Sequence, residues 1–259
     1  MESKEGKFVF KIAGPDKKES TLKRDVAMLR FLEKNKFSAA PKILATKSWQ
    51  PYRRVSGRFV YAMKHAGSPP RSSLKNWHEL GKALASLHLI RSSTIPKSSF
   101  TVAAQRAKML KRAKSFKMEA GHAEIWRSLR SFDKLPQSII HTDPGIHNTV
   151  QRKNGSLVLV DWEDAGRGPS VLDIGYVLTS FLTSKFKFED RKTIAFLKGY
   201  TSKRKISGDE KFRVIDAGLV FGLSYSIDEK RGVDPGYWEW TQYIAGHRYI
   251  FERVLNTVK

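Results

Sequence analysis

Asn154-Gly155 stands between two short β-prone runs, "TVQR" (149–152) and "LVLVDWED" (157–164), and this turn constrains the chain more than any other feature. A two-residue type I′ hairpin loop needs positive φ at both central residues, which Asn and Gly tolerate best. With those two residues as the loop, Lys153 faces Ser156, Thr149 faces Val160 and Asn148 faces Asp161. Directly opposed Cβ atoms lie about 4.5–5.5 Å apart, so an amide oxygen and a carboxylate oxygen can share one hard cation. Mg²⁺ suits the pair, because it takes oxygen ligands, commonly only one or two from protein carboxylates, and completes its shell with water and phosphate oxygens.

The segment leading into the hairpin, "HTDPGIHN" (141–148), follows the apolar pair Ile139 and Ile140 at the end of a short strand, "QSIIH". Asp143, five residues before Asn148, can stand beside such an ion without binding it. A carboxylate there suits a general base that orients a substrate hydroxyl and accepts its proton. His141 is expected to brace the loop.

The rest of the chain frames this centre. "KFVFKIA", "KILATKS" and "RFVYAMK" read as strands around a helical "STLKRDVAMLRFLEK". "AGSPPRSS" (66–73) then breaks the pattern as a hinge. Beyond it, Trp77, Leu80, Leu84 and Leu87 recur at helical spacing, residues 101–131 continue helical, and the chain from Ser170 onward is again mostly helical. The expected class is α+β, with residues 1–65 as a small β-rich N-terminal lobe and 66–259 as a helical C-terminal lobe carrying catalysis and substrate.

The 259 residues contain no cysteine, which excludes disulfides and thiolate chemistry. No apolar run reaches membrane-span length and the N-terminus is polar, so a soluble cytoplasmic protein without membrane association is expected. Lys and Arg total 48 against 25 acids, a formal net charge of +23. Such a surface draws phosphates or other polyanions, nucleic acid among them. Residues 37–75 hold no acid at all, and a second basic cluster runs from Arg106 to Lys117, where a solvated helix face is the plainer reading.

The spacing His141-x-Asp143-x-x-x-x-Asn148, with Asp161-Trp162-Glu163 closing the next strand, resembles the catalytic motif of the aminoglycoside phosphotransferase and choline kinase family, whose fold is protein-kinase-like. "LGKALASLH" (80–88), "GRGPSVLDIG" (166–175) with Asp173, and "FLKGYTSKRKIS" (196–207) resemble further segments of that family, so the likeness spans nearly the whole chain. It implies ATP and Mg²⁺ as cofactors, Asn148 and Asp161 as metal ligands, Asp143 as base and Lys11 as the strand lysine on the phosphates. Asp161-Trp162 in place of Asp-Phe-Gly sets the chain apart from protein kinases.

On the following helix, Asp25 falls within the apolar stripe of Leu22, Val26, Leu29 and Leu32. A carboxylate on a buried face needs a cation. Lys11 is the expected partner of Asp25, with Glu19 as an alternative acid for Lys11 and an exposed base such as Arg24 as an alternative for Asp25. "YAMKHAG" (61–67) resembles the adenine-cradling strand and linker, with Met63 lining the pocket and the backbones of Lys64 and Ala66 bonding the base. The family's phosphate-covering hairpin needs roughly twenty residues, and only ten precede Lys11, so the N-terminal lobe reads as truncated.

The implied reaction is transfer of the ATP γ-phosphate to a small-molecule hydroxyl. A non-catalytic kinase-like module bound to nucleic acid through the basic surface is the alternative. The patch "SIDEKRGVDPGYWEW", with Asp228, Glu229, Asp234, Tyr237, Trp238, Glu239 and Trp240, either lines a substrate pocket or joins a surface loop to core tryptophans.

Overall fold

The computed structural model describes all residues except 1, 4, 5, 16, 48, 49, 99, 114–119, 185, 229–231 and 259. Part of the second basic cluster and Glu229 therefore lie outside the described residues. The chain is α+β, as its patterning leads one to expect. β1 (Glu2–Ser3), β2 (Gly6–Ile12), β3 (Arg53–Val55) and β4 (Arg58–Lys64) form one antiparallel sheet in the order β1-β2-β4-β3. Helix α1 (Glu19–Lys34) buries the expected stripe of Leu22, Val26, Leu29 and Leu32, together with Asp25. Among the described residues β1 pairs with β2 through Glu2 and Ser3.

One expectation for this region changes. The described residues of "KILATKS" form no strand, and they meet β4 through an isolated bridge from Ile43 to Met63 and through backbone bonds from the Leu44 N–H to the Ala62 carbonyl and from the Lys64 N–H to the Lys42 carbonyl. β4 pairs with β2 on one edge and with β3 on the other, and β3 turns into it through Ser56 and Gly57, both at positive φ, as a type I′ hairpin requires.

Beyond the linker, α2 (Leu74–His88) and α6 (Asp190–Thr201) form the central helix pair. Ser73 caps α2 by accepting the Asn76 N–H. The two helices cross at Gly81 and Gly199, where any Cβ would overlap backbone atoms of Phe196 and His78 respectively. Between these helices in sequence come α3 (Val102–Ala113), α4 (Ala120–Ser128), β5 (Gln137–Ile140), β6 (Thr149–Gln151), β7 (Leu157–Leu159), β8 (Gly166–Pro169) and α5 (Val171–Tyr176). After them follow α7 (Gly208–Lys211), α8 (Val214–Tyr225), α9 (Pro235–Gly246) and α10 (Arg248–Thr257). α8 is apolar on nearly every face and accordingly buried from Val214 to Ser224.

Two short ladders carry the centre: β5 pairs with β8, and β6 with β7. A buried polar chain ties the helices behind them. Asp173 on α5 meets His88 at 3.0 Å, His88 meets the Tyr200 hydroxyl at 2.7 Å, and Arg204 donates to Tyr200 at 3.0 Å and to Glu210 at 2.5 Å. Glu210 also accepts from the Ser170 hydroxyl at 2.7 Å and the Ser207 N–H at 3.0 Å.

Gly199→Ala should lower the urea midpoint. Helix propensity gains up to about 1 kcal/mol from Ala, but overlap with the His78 carbonyl costs about 1–3 kcal/mol or more. A midpoint equal to or above that of the parent would contradict the close crossing.

Burial works to raise the Glu210 carboxyl, but its bonds from Arg204, Ser207 and Ser170 prevail and hold it below its ordinary 4.5. A folded-state pKa below the unfolded one means that the contribution is whole above the unfolded value and lost as pH falls through the folded one. Urea titrations between pH 3 and 7 should therefore show an acid loss of stability that is smaller in Glu210→Gln. Parallel curves for the two proteins would refute this role.

Candidate active site

The hairpin forms, but its register differs by one residue from expectation. Thr149 opposes Leu159, Val150 opposes Val158 and Gln151 opposes Leu157. Arg152 and Ser156 close the ladder, and Gly155 donates to the Arg152 carbonyl at 2.9 Å. The loop thus has three residues, and only Gly155 is left-handed, at φ +86°. This is a type I turn followed by a glycine bulge rather than type I′. Asn148 consequently faces Val160, whose N–H donates to the Asn148 carbonyl at 2.9 Å. Asp161 comes one step later, where φ of +66° turns the chain.

Asp173 fixes the loop before the hairpin. Its two carboxylate oxygens each accept one backbone N–H at 2.8 Å, from His141 and from Thr142. Thr142 sits at φ +73°, which is unusual for a β-branched residue and needs such an anchor. His141 is fully buried, with Nε2 3.0 Å from the Val160 carbonyl and its ring edge-on to Trp162. Burial holds its pKa below the ordinary value, so the neutral ring donates to that carbonyl and braces the loop against the far end of the hairpin.

This frame positions Asp143. Oδ2 accepts from the Asn148 side-chain amide at 2.7 Å, and the same amide nitrogen donates to the Asp143 carbonyl at 3.1 Å. His147 Nε2 lies 3.6 Å from Oδ2. Oδ1 of Asp143 is buried without a partner among the described residues. Because the Asn148 nitrogen turns to a carboxylate, its amide oxygen is left to another ligand. Asp143 and Asp161 both lie near enough to His141 to act on its charge.

Lys11, from β2, reaches Asp161 Oδ1 and Glu163 Oε1, each at 2.6 Å. Burial works to lower its pKa, but the bonds to these two acids overcome that and raise it, so Lys11 is a firm cation. Asp25 does not pair with Lys11 as expected. Its cation is Lys17, at 3.0 Å, from the segment between β2 and α1, and Lys17 also meets Glu163 Oε1 at 2.5 Å. The short Asp25 side chain, 1% exposed on α1, is met by the nearer lysine, while Lys11 is taken up by the hairpin acids. Burial pushes the Asp25 carboxyl up even so, and its Oδ1 has no partner among the described residues. Glu19, the alternative acid for Lys11, bonds Tyr52 and Lys23 instead, and Arg24 donates to the Glu163 carbonyl. Lys17 carried no sequence signal, since only the fold brings its loop beside the hairpin.

At the linker, Met63 is half-buried on β4 opposite Val9, and the Ala66 backbone makes no hydrogen bond among the described residues. The Lys64 N–H is taken by the Lys42 carbonyl at 2.9 Å, so of the Lys64 backbone only the carbonyl is left for a base. Ser68 and Gln151 exchange backbone bonds at 3.1 and 2.7 Å, clamping the linker to the hairpin.

Asp143 lines a recess of about 230 Å³ with Thr142, Asp164 and Lys108. That recess shares Phe221 and Tyr225 with a cavity of about 850 Å³, lined also by Tyr176, Phe181, Asp234 and Trp240. Burial and then the Asp143 charge push the Tyr176 phenol up. The C-terminal patch thus divides: Asp234, Tyr237 and Trp240 line the cavity, Trp238 is core at 4% exposure, and Glu239 is exposed. Asp234 also caps α9 through the Tyr237 N–H.

Among the described residues no cluster of three or more His, Cys, Asp or Glu side chains could hold a metal. The donors that remain, the Asn148 amide oxygen and the Asp161 carboxylate, are hard oxygens of the kind and number Mg²⁺ takes from a protein when phosphates and water supply the rest. No helix of the described residues is long and apolar enough to cross a membrane.

Residues 1–206 match the model of a family described as "Phosphotransferase enzyme family". No curated protein sequence matches the chain. Among solved structures, an aminoglycoside phosphotransferase from Alicyclobacillus acidocaldarius aligns with a TM-score of 0.64 at 17% identity, covering 99% of this chain and 88% of that one. An amicoumacin kinase in complex with AMP-PNP, Ca²⁺ and Ami aligns at 0.65 and 13% identity over 97% and 84%. A choline/ethanolamine kinase family protein from Mesorhizobium loti aligns at 0.63 and 18% identity over 97% and 86%. At these identities the likeness is one of fold.

Replacing Asp173 by Ala removes the acceptor of two buried N–H groups and of His88. The expected loss of stability is about 3–5 kcal/mol, with a smaller loss in Asp173→Asn, which keeps one acceptor oxygen. Urea unfolding measures both, and parent-like stability in the Ala variant would show that the loop is held by something else.

Proposed function

The chain belongs to the phosphotransferase enzyme family, and from that premise we propose that it moves the γ-phosphate of ATP onto a hydroxyl group of a small molecule. The observation that carries this reading is the Asp143 carboxylate, held on Oδ2 by Asn148, left without a partner on Oδ1, and set at the edge of an aromatic cavity. Asp143 orients the acceptor hydroxyl and takes its proton as the phosphoryl group transfers.

Lys11 meets the nucleotide phosphates, exchanging part of its contact with Asp161 and Glu163 for phosphate oxygens. The Met63 side chain, the Lys64 carbonyl and the Ala66 backbone receive adenine. Asn148 and Asp161 would hold Mg²⁺, which when bound neutralises charge on the transferring phosphates. Asp25 acts one step removed, fixing Lys17 against Glu163 and so the acid that Lys11 shares. The sheet and α1, residues 1–65, serve as the nucleotide lobe, and the remainder as the lobe of catalysis and acceptor.

The cavity lining indicates the acceptor. Aromatic faces from Tyr176, Phe181, Phe221, Tyr225 and Trp240 with Asp234 at the wall suit an ammonium or onium group. Local acids thereby oppose the overall positive charge. An amino alcohol or amino sugar has the required pairing of cation and hydroxyl, in keeping with the names of the aligned phosphotransferase and choline/ethanolamine kinase structures.

Asp143→Ala should lower kcat for ATP-dependent transfer to an amino alcohol by about 10²–10⁴-fold, the span of a general base. Stabilisation of the fold by Mg-ATP in a thermal-shift titration should be largely unchanged. Full turnover in the variant would remove Asp143 from the reaction.

A further inference from the structure

We infer that a basic groove, running from the linker away from Lys11, Asp143, Asn148 and Asp161, binds the sugar-phosphate backbone of single-stranded nucleic acid. Three adjoining recesses, of about 780, 410 and 620 Å³, share Arg152 at the hairpin tip as a common wall. The first two also share Ala40, Pro41 and Lys42, and the last two share Lys36, Phe37 and Ser38. None of Lys11, Asp143, Asn148 or Asp161 lines any of them, and the groove meets the proposed nucleotide site only at Lys64 and Ala66 in the first recess. The groove starts at the linker, between the segments around Lys7, Lys42, Lys64 and Lys153, and ends where α2 and the residues after α6 present Lys82 and Lys203.

Cations outnumber acids along this lining. Lys64 and Lys153 have no acid within salt-bridge reach among the described residues. Two acids line the groove, and both are engaged: Glu79 with Lys82 at 2.9 Å, and Glu33 with Lys42 at 3.9 Å. Elsewhere acids are drawn inward, Asp25 to Lys17, Glu210 to Arg204 and Asp216 to Arg248. The wall is fixed, because Arg152 donates to the Ser38 carbonyl at 2.6 Å and Gln151 is clamped to Ser68.

The shape selects the ligand. Recesses of these volumes lie in the range of small-molecule sites, the scale of single nucleotide units. A membrane surface engages protruding apolar side chains together with basic ones, and none of the exposed large apolar side chains lies in this lining. Phe37 in the lining is 8% exposed and offers no stacking face, which leaves the exposed His65 imidazole as the ring open to a base. Binding is therefore to phosphates, tolerant of sequence and steep in salt.

The test is fluorescence anisotropy of the full chain with a labelled 20-nucleotide single-stranded RNA between 50 and 300 mM salt. The triple variant Lys36→Gln, Lys42→Gln, Lys153→Gln should reduce the slope of log K against log salt by about 2, at about 0.7 per phosphate contact on a single strand. Its melting temperature and ATP-dependent transfer should match the parent. Lys111→Gln, Lys134→Gln, Lys187→Gln, which touches no groove residue, should keep the parent slope. Equal losses in both triple variants would mean diffuse surface charge and overturn the groove. Absence of RNA binding at 50 mM salt, or displacement of the RNA by anionic phospholipid vesicles, would overturn it as well.

Discussion

Two adjacent backbone N–H groups end on one buried carboxylate, that of Asp173, and the placement of the whole candidate site depends on that contact. It holds Thr142 in a left-handed conformation that its branched side chain disfavours, at a cost of about 1–3 kcal/mol. Asp143 follows immediately, so the direction of its carboxylate is inherited from the anchored pair. Asp173 is itself fixed through His88 to α2, through Tyr200 to α6, and onward through Arg204 to Glu210 on α7. The active loop therefore rests on helices far from it in sequence. Gly81 and Gly199 let α2 and α6 approach closely enough to carry this chain of bonds.

The charges follow a comparable logic. A chain with +23 has few acids to spare, and Asp25, Asp161 and Glu163 gather around Lys11 and Lys17. Burial alone would raise the Glu163 carboxyl, but hydrogen bonds from both lysines bring it below its ordinary value, so the acid stays ionised. Asp25 is buried more deeply and its carboxyl stays raised despite Lys17. The concentration of acids here and in helix-helix contacts leaves the groove around Arg152 with cations that have few counterions.

The hairpin shows how far patterning reaches. Its location and the identity of its polar ends were legible, because Asn-Gly between β-prone runs admits few other structures. Its register was not. Type I′ and the three-residue bulged loop both accept Asn-Gly, and they differ by one residue in every cross-strand pair. Packing of the neighbours decides between them, since Leu157, Val158 and Leu159 are all buried and their alternation gives no face preference. The strand assigned to "KILATKS" failed for a related reason. β4 needed a partner on that side, and the Ser56-Gly57 turn supplied the nearer one.

The sequence by itself determined the class of fold, the stripes of α1 and α2, and the hairpin with Asn148 and Asp161 at its open end, because spacing along the chain governs contacts between close neighbours. Tertiary structure alone decided which lysine neutralises Asp25, that Asp173 would anchor His141 and Thr142, and that Asp234, Tyr237 and Trp240 would join Tyr176 in one cavity. Those pairings join residues 8 to about 60 positions apart on separate elements. Their partners are selected by the reach of each side chain and by the burial around it, quantities that exist only once the elements have packed.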